Sequence, residues 1–179
     1  MLPGRPTRAT LEGFTMTDTP APLPAGPIVV GTDGSPQARH AALFALREAQ
    51  LRGTGLRAVC AYDYTPIRFT GYGWMAAPEG ATTLYEQLHD VARQAVTDTV
   101  HELRQQLGGP EVEVEIIAEA GRPAQVLLDA SKDASLLVVG TRGSSAWGRL
   151  TLGSTSTEVV HHAHLPVVVV PADSRSASS

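Results

Sequence analysis

A glycine-rich segment at residues 140–154 carries the residue types that could bind an anion. It reads Gly-Thr-Arg-Gly-Ser-Ser-Ala-Trp-Gly-Arg-Leu-Thr-Leu-Gly-Ser, follows an apolar run at 136–139 and precedes a predicted helix at 155–162. Free backbone N–H groups and the positive end of the helix dipole attract phosphate at such a helix start. The segment therefore predicts a phosphate-binding loop, with a plain surface connection as the alternative.

Three familiar catalytic or nucleotide-binding motifs do not match this chain. The glycine-rich segment has no lysine, which excludes a Walker A loop. It also lacks the Gly-x-Gly-x-x-Gly spacing of a dinucleotide fingerprint. Gly-x-Ser-x-Gly, the motif of a nucleophile elbow, occurs nowhere in the chain. These motifs therefore assign no catalytic residue, and the glycine-rich segment remains a predicted phosphate-binding loop.

Histidine and cysteine do not complete a metal site in this sequence. His161, His162 and His164 fall at a predicted helix end and the turn after it, which would spread them apart. A helix C-terminus favours histidine because of its dipole, which accounts for them without a metal. Cys60 lies in an apolar run and is predicted to be a small core side chain.

Composition limits the class of protein and its partners. The chain has 179 residues, 42% of them apolar and 18% charged, which is typical of one globular domain. A formal net charge of −4 argues against a nucleic-acid-binding surface. A lone cysteine fits a reducing compartment, and no run approaches the roughly 20 apolar residues of a membrane span. We therefore expect a cytoplasmic protein without a nucleic-acid or membrane partner.

The two ends of the chain differ from its centre. Residues 1–25 are rich in Pro, Thr, Ala and Gly and lack the apolar stretch of a signal peptide, so we predict a disordered extension. Met16 within it is an alternative start position. A serine-rich end at 173–179 is predicted to be a flexible tail, which leaves 26–172 as the folded domain.

Apolar runs and helical periodicities alternate through that domain. The predicted strands are 27–32, 56–62, 111–118, 136–139 and 166–171. The predicted helices start at Pro36, Glu79, 121–123 and Thr155. The second runs to Leu107, and its apolar stripe consists of Leu84, Leu88, Val91, Ala95, Thr99, Leu103 and Leu107. Continuously apolar strands between helices predict a parallel sheet covered on both faces. The acid-apolar alternation at 111–118 predicts a half-exposed edge strand.

Several helix ends are predicted from capping residues. Ser35 is the expected N-cap of the first helix, with Pro36 at its first position, and Gly53 ends it. The last helix has a capping box beginning at Thr155, although Ser154 is an alternative cap.

In parallel sheets, ligands bind beyond the carboxyl ends of the strands, where the strand order reverses. Asp33 follows the first strand, and the glycine-rich segment follows the fourth. If those two strands are neighbours, Asp33 and the glycine-rich segment face each other across one crevice.

The chain resembles the universal stress protein family. Gly140, Gly143, Gly153 and Ser154 match its Gly-x2-Gly-x9-Gly-Ser pattern in full. The opening Val-Gly-Thr-Asp-Gly-Ser at 30–35 is similar to its first strand and turn. The ending His-Ala-His-Leu-Pro-Val-Val-Val-Val-Pro at 162–171 is similar to its last helix and strand. The resemblance covers residues 26–171.

This resemblance implies a fold, a ligand and an assembly. The fold is a single-domain α/β sandwich of the flavodoxin or Rossmann-like type, with a five-stranded parallel sheet of order 3-2-1-4-5. Members with the intact glycine motif bind ATP, with Mg²⁺ as a possible companion. Members usually form homodimers through the last strand, here Val167–Val170.

The implied nucleotide-binding residues are Thr32, Asp33, Ala61, Gly140, Arg142, Gly143, Gly153, Ser154 and Thr155. By resemblance, Asp33 would accept hydrogen bonds from the ribose or help to hold a metal. The backbone of Ala61 would meet the adenine edge, and Gly140 would lie against the ribose.

Phosphate contacts are implied for the rest of that set. Gly143, Gly153 and Ser154 would surround the phosphates, and Thr155 would add a backbone N–H. Arg142 could pair with phosphate, as could Arg149, with a solvated surface position as the alternative for each.

The resulting hypothesis is an ATP-binding stress-response sensor or regulator. The alternatives are a slow ATPase, a nucleotide-free dimeric scaffold, and a protein that binds cyclic AMP or AMP in the same crevice. An aromatic segment at 69–75 is either a surface loop or a lid over the base.

Overall fold

Five strands and four helices alternate along the part of the chain that the computed structural model describes, residues 25–62, 81–141 and 152–171. The elements are β1 (Ile28–Gly31), α1 (Arg39–Arg52), β2 (Leu56–Tyr62), α2 (Ala81–Leu107), β3 (Val114–Ala120), α3 (Pro123–Ala130), β4 (Leu136–Gly140), α4 (Ser154–His162) and β5 (Val167–Val170). The predicted extension and tail lie almost entirely outside these ranges and stay predictions.

All neighbouring strands in the sheet are parallel, and their order is β3-β2-β1-β4-β5. This order confirms the predicted fold class. The chain moves outward from β1 to β3, then returns to the other side of β1 for β4. The strand order therefore reverses between β1 and β4, which pair from Ile28 with Leu136 to Val30 with Val138.

Apolar side chains cover both faces of the sheet, as predicted for continuously apolar strands. Ile28 and Val30 of β1 pack with α1 and α2 in one core cluster. Val29, between them, packs with α3 and α4 in the other cluster. Because successive side chains of a strand point to opposite faces, one short apolar strand contributes to both cores. Each fully buried valine or isoleucine stabilises the fold by about 1.5–3 kcal/mol.

The first helix begins later than the sequence predicts. Residues 36–38 form a turn, and α1 starts at Arg39 with Ala38 as its N-cap. Ser35 still plays part of the predicted role, because its hydroxyl accepts a hydrogen bond from the Ala38 N–H over 3.3 Å. The predicted end at Gly53 is confirmed, with the left-handed φ of 63° that favours glycine.

The apolar stripe predicted for α2 is wrong in its amino-terminal half. Leu84 and Val91 are 52% and 68% exposed, while Val96, Val100 and Leu103 are buried as the helix nears its end. The helix has 27 residues, about 40 Å, whereas the seven residues of β2 span only about 23 Å. The sheet is therefore too short to cover both halves of α2.

The edge strand and the last two helices agree broadly with the sequence. β3 lies at the sheet edge as predicted, but it starts at Val114 and ends at Ala120. α3 buries Val126 and Leu127, and Ala130 is half-buried. The predicted capping box of α4 is wrong: its N-cap is Gly153, and no side chain caps this terminus in the described structure.

Arg57 connects β2, β3 and the end of α3 at the amino ends of the strands. From β2 it binds Glu115 of β3 (Nε to Oε2, 2.7 Å) and Asp133 after α3 (Nη1 to Oδ1, 2.7 Å). It also donates to the carbonyl oxygen of Ala130 over 2.6 Å. The hydrogen bond that Arg57 donates to Asp133, and then the one to Glu115, raise the pKa of the guanidinium. Arg57 itself lowers the pKa of Asp133.

None of the helices in the described ranges combines the length and apolarity needed to cross a membrane.

Candidate functional site

The carboxyl ends of β1 and β4 form the centre of the candidate site. The Thr32 N–H, just after β1, donates to the Val59 carbonyl of β2 over 2.9 Å. Thr141, just after β4, donates to the Val170 carbonyl of β5 over 2.9 Å. These two bonds continue the sheet ladder beyond the last residues of β1 and β4, so Thr32 and Thr141 are held at the same edge of the sheet.

A tight turn after β1 presents Asp33. Its Oδ1 accepts a hydrogen bond from the Ser35 N–H over 3.0 Å, and the carboxylate is exposed. Gly34 has a φ of 74°, a conformation that L side chains rarely adopt, and an added Cβ would lie 3.1 Å from the Cβ of Ala95 on α2. Buried Thr32 accepts from the Gly34 N–H over 3.3 Å. The turn is therefore fixed by its own bonds and by close contact with α2.

Two hydrogen bonds bring the ends of the glycine-rich segment together. The Gly153 N–H donates to the Thr141 carbonyl over 2.8 Å. The hydroxyl of buried Ser156 donates to the Gly140 carbonyl over 2.6 Å. The start of α4 therefore lies directly against the end of β4.

The amino terminus of α4 has the features of an anion site. Its first turn contains Ser154, Thr155 and Ser156, whose N–H groups have no intrahelical acceptor in α-helix geometry. The first helical bond joins the Thr157 N–H to the Gly153 carbonyl over 2.9 Å. Ser154 is exposed and Thr155 half-buried, so this turn is accessible from the carboxyl edge of the sheet.

Ala61 lies near the end of β2, beside the Asp33 turn. The bond from Thr32 to Val59 shows that odd-numbered residues of β2 direct their backbone groups towards β1. The paired residues of β1 end at Gly31, opposite Val59. The carbonyl of Ala61 therefore points past the end of β1, where the sequence analysis predicts a ligand.

Cys60 and Tyr62 flank Ala61 and face the opposite side of the sheet. Cys60 belongs to the core beneath α1 and α2. Burial raises the pKa of its thiol, and the carboxylate of Asp33 raises it further. Burial also raises the pKa of Tyr62 to about 12, with a further contribution from Tyr85. The buried thiol agrees with the predicted core role of Cys60.

Of the predicted site residues, the structure brings together Thr32, Asp33, Ala61, Gly140, Gly153, Ser154 and Thr155 at this one edge. Arg142 and Gly143 lie outside the described residues, as do Arg149 and the aromatic segment at 69–75. Sequence reasoning did not identify Ser156, because its hydroxyl serves a carbonyl sixteen positions earlier in the chain. It also missed the ring contacts of Tyr62 with α2.

The three clustered histidines lie elsewhere. They line a groove of about 710 Å³ between α3 and α4, together with Asp129, Lys132 and Glu158 among others. The groove surrounds the carboxyl ends of α3 and α4. Because both helices run antiparallel to the strands, the groove lies at the amino edge of the sheet. Within the described ranges, no group of three or more His, Cys, Asp or Glu residues could hold a metal ion.

Comparisons with known proteins agree with this architecture. The model of the universal stress protein family matches residues 25–171. A universal stress protein of Mycolicibacterium smegmatis is 39% identical over 153 residues, which are 84% of this chain and 49% of that protein. The chain spans about half the length of the curated relatives it matches.

Two solved structures show the same fold. Universal stress protein UspA from Lactobacillus plantarum aligns with a TM-score of 0.62 at 26% identity, covering 81% of this chain and 97% of that one. A universal stress protein in complex with cAMP aligns with a TM-score of 0.54 at 24% identity, covering 83% and 98%. Since the family model covers nearly all of the described residues, the chain belongs to the universal stress protein family.

Proposed function

We propose that this chain binds an adenine nucleotide, with ATP as the predicted ligand, in the crevice at the carboxyl ends of β1 and β4. One observation carries the proposal. The Asp33 turn and the start of α4 follow the two neighbouring strands between which the strand order reverses. Ligands of open α/β sheets bind at this point because the two connections diverge to opposite faces and leave a crevice.

The accessible groups match the parts of a nucleotide. The exposed carboxylate of Asp33 would accept hydrogen bonds from the ribose, next to Gly140. The carbonyl of Ala61 would meet the exocyclic amine of adenine. These positions share an edge because β1, β2 and β4 are adjacent in the sheet.

Phosphates would bind at the first turn of α4. The backbone N–H groups of Ser154 and Thr155 would donate to them, near the positive end of the helix dipole. Gly143 of the sequence motif and the neighbouring Arg142 are predicted to complete this set. A hydrogen bond to a charged group contributes about 1.5–3 kcal/mol. Three or four such bonds, with burial of the base and after the cost of association, are compatible with binding of about −8 kcal/mol, a micromolar Kd.

Binding would link nucleotide level to protein stability. A ligand at a hundred times its Kd stabilises the folded state by about 2.7 kcal/mol. We propose that the protein acts in the cytoplasm as a stress-response sensor or regulator through this effect, or through nucleotide-dependent partner binding. Slow ATP hydrolysis is a second activity to measure. The assay includes Mg²⁺, because phosphoryl transfer requires charge stabilisation as well as a positioned water.

A homodimer through β5 is part of the proposal. β5 is an edge strand, and its four valines are half-buried against the two cores. An apolar edge strand left open invites pairing with another strand. Pairing with β5 of a second copy would cover this edge.

The first experiment identifies the ligand. Small molecules released from the denatured, purified protein are analysed by mass spectrometry, and ATP, AMP and cyclic AMP are titrated by calorimetry. We expect micromolar binding that Gly153→Val abolishes, because the added side chain would occupy the phosphate approach. Gly153 has φ −63° and ψ 160°, which valine also adopts, so the backbone itself is not strained.

A matched glycine variant serves as the control. Gly55→Ala lies at the amino edge, where an added Cβ would be in ordinary contact, 3.6 Å from the Glu113 carbonyl. It should bind nucleotide as the wild type does. No nucleotide recovered and no heat of binding with any of the three ligands would reject the proposal and favour the scaffold alternative.

A further inference from the structure

An ion pair joins α3 to α4 beside the proposed nucleotide crevice. Nη2 of Arg122, the N-cap residue of α3, donates to Oε1 and Oε2 of Glu158 over 3.0 and 3.1 Å. The side chain of Arg122 is 78% exposed and that of Glu158 is 32% exposed. A pair this open to water contributes little to stability, so Arg122 can exchange its partner at low cost.

Arg122 reaches Glu158 across the carboxyl edge of the sheet. The chain just before Arg122 is fixed at the end of β2, where the Gly121 N–H donates to the Tyr62 carbonyl over 3.1 Å. Glu158, in contrast, belongs to α4, which packs on β5. Since β1 and β4 lie between β2 and β5, the ion pair spans the boundary at which the strand order reverses.

Glu158 holds the guanidinium near the first turn of α4. Residues three and four positions apart share a helix face, so Glu158 lies on the face of Thr155 and Ser154. Helical side chains also lean towards the amino terminus, which brings the Glu158 carboxylate alongside that turn. The Arg122 guanidinium is therefore close to the N–H groups that would hold the phosphates.

The guanidinium of Arg122 has donors to spare. Within the described ranges, both of its hydrogen bonds come from Nη2, so Nε and Nη1 make none. Arginine presents its donors in a planar fork that matches the oxygens of a phosphate group. A polyphosphate carries more negative charge than one carboxylate, so it would compete effectively with Glu158 for this side chain.

We propose that Arg122 binds the terminal phosphates of the nucleotide and thereby favours ATP over AMP. This inference rests on the nucleotide site proposed above. AMP has only the phosphate next to the ribose, which the first turn of α4 would bind without Arg122. The β- and γ-phosphates of ATP would extend beyond that turn, and Arg122 would leave Glu158 to bind them. Glu158 would then be the competitor that a triphosphate displaces and a monophosphate does not.

The test breaks the ion pair from each side and measures ATP and AMP binding by calorimetry. If the pair only connects α3 to α4, Arg122→Gln and Glu158→Gln should change ATP binding in the same direction. Phosphate binding by Arg122 predicts opposite changes. Arg52→Gln and Glu48→Gln are the matched controls, because they remove the same charges from an i,i+4 ion pair at the far end of α1 (Nη2 to Oε2, 2.9 Å).

We expect Arg122→Gln to weaken ATP binding by about tenfold, as for the loss of a hydrogen bond to a charged group, and AMP binding much less. Glu158→Gln should tighten ATP binding several-fold, because Arg122 is then free for the phosphates. In the Arg122→Gln background, Glu158→Gln should have little effect, since the carboxylate then holds no arginine. Both control variants should leave the ratio of ATP to AMP affinity unchanged.

Failure of this inference is distinguishable from failure of the nucleotide site. Suppose that Gly153→Val abolishes ATP binding, while Arg122→Gln and Glu158→Gln shift it in the same direction or not at all. That result would reject the role of Arg122 and keep the site, as would a wild type that binds AMP as tightly as ATP. No binding of either nucleotide would reject both. Circular dichroism melting without nucleotide should be similar for the two variants, which separates altered binding from altered folding.

Discussion

The hydroxyl of Ser156 donates to the carbonyl oxygen of Gly140 over 2.6 Å, which joins the first turn of α4 to the last residue of β4. Ser156 is buried, so this bond is shielded from water. It fixes the helix terminus at the edge where the phosphates are proposed to bind. The position of the anion site therefore depends on a side chain that need not contact the ligand.

Replacing this serine should weaken both folding and binding. We expect Ser156→Ala to lower the free energy of unfolding by about 1–3 kcal/mol, because the Gly140 carbonyl loses its side-chain donor in a buried site. Urea unfolding measures this loss, and calorimetry should show weaker ATP binding. Thr157→Ala, on the exposed side of the same turn, is the control. Equal stability of the two variants would contradict the assigned role.

The Asp33 turn should not tolerate a side chain at Gly34. We expect Gly34→Ala to destabilise the protein by about 1–2 kcal/mol, because its φ of 74° is unfavourable for alanine. Contact with Ala95 would add to this cost. Thermal unfolding should show a melting temperature several degrees lower than that of Gly55→Ala, where the added methyl group has room. A melting temperature equal to that control would argue against a strained turn.

The ion pairs of Arg57 should affect stability in acid. Hydrogen bonding to Arg57 holds the pKa of Asp133 below its ordinary value. A carboxyl group with a lowered folded-state pKa stabilises the protein above its unfolded pKa of about 3.9, and this contribution is lost as the pH falls through the folded value. The free energy of unfolding, measured in urea, should therefore fall more steeply below about pH 5 for the wild type than for Asp133→Asn.

Arg57→Met provides the complementary measurement. Without the guanidinium, Asp133 should titrate closer to its ordinary range, and the acid dependence should flatten as it does in Asp133→Asn. If the free energy of unfolding depends on pH in the same way for the wild type and both variants between pH 7 and pH 3, the Arg57–Asp133 pair does not contribute to acid stability.

The proposed dimer predicts a specific effect of proline in β5. Pro166 and Val170 accept hydrogen bonds from Leu137 of β4 and from Thr141 just after it, so Val167 and Val169 direct their backbone groups away from β4. Val169→Pro removes an N–H that points away from β4, on the side where a second strand would pair. We expect analytical ultracentrifugation to show a dimer for the wild type and for Val169→Ala, and a monomer for Val169→Pro. A dimer that survives the proline would place the interface elsewhere.

The sheet was predictable from the sequence, because most strands are short apolar runs bounded by turn residues and β3 alternates acidic with apolar residues. Strand order came from the family resemblance and is confirmed. The inward face of α2 was not predictable, since apolar residues such as Val91 continue the helical period beyond the part that the sheet covers. Nor was the cap of α4, because the hydroxyl of Ser156 bonds to a distant carbonyl that the local pattern does not reveal.

The site was predictable where it follows strand ends, and less so where it depends on helix placement. Asp33 and Gly153 come directly after or before regular elements, so topology alone brings them to one edge. The contact between Tyr62 and Tyr85 depends on the rotation and tilt of α2 against β2. These are set by packing along the whole helix and not by the neighbouring sequence.

The hydrogen bond between Gly153 and Thr141 has a consequence for the stability of the domain. The chain segment between these two residues begins and ends at positions that this hydrogen bond fixes. The sheet therefore does not require a particular length for that segment. Doubling a loop costs only about 0.6 kcal/mol in closure entropy. The stability of the described part of the domain should therefore depend little on the length of the connection between these two residues.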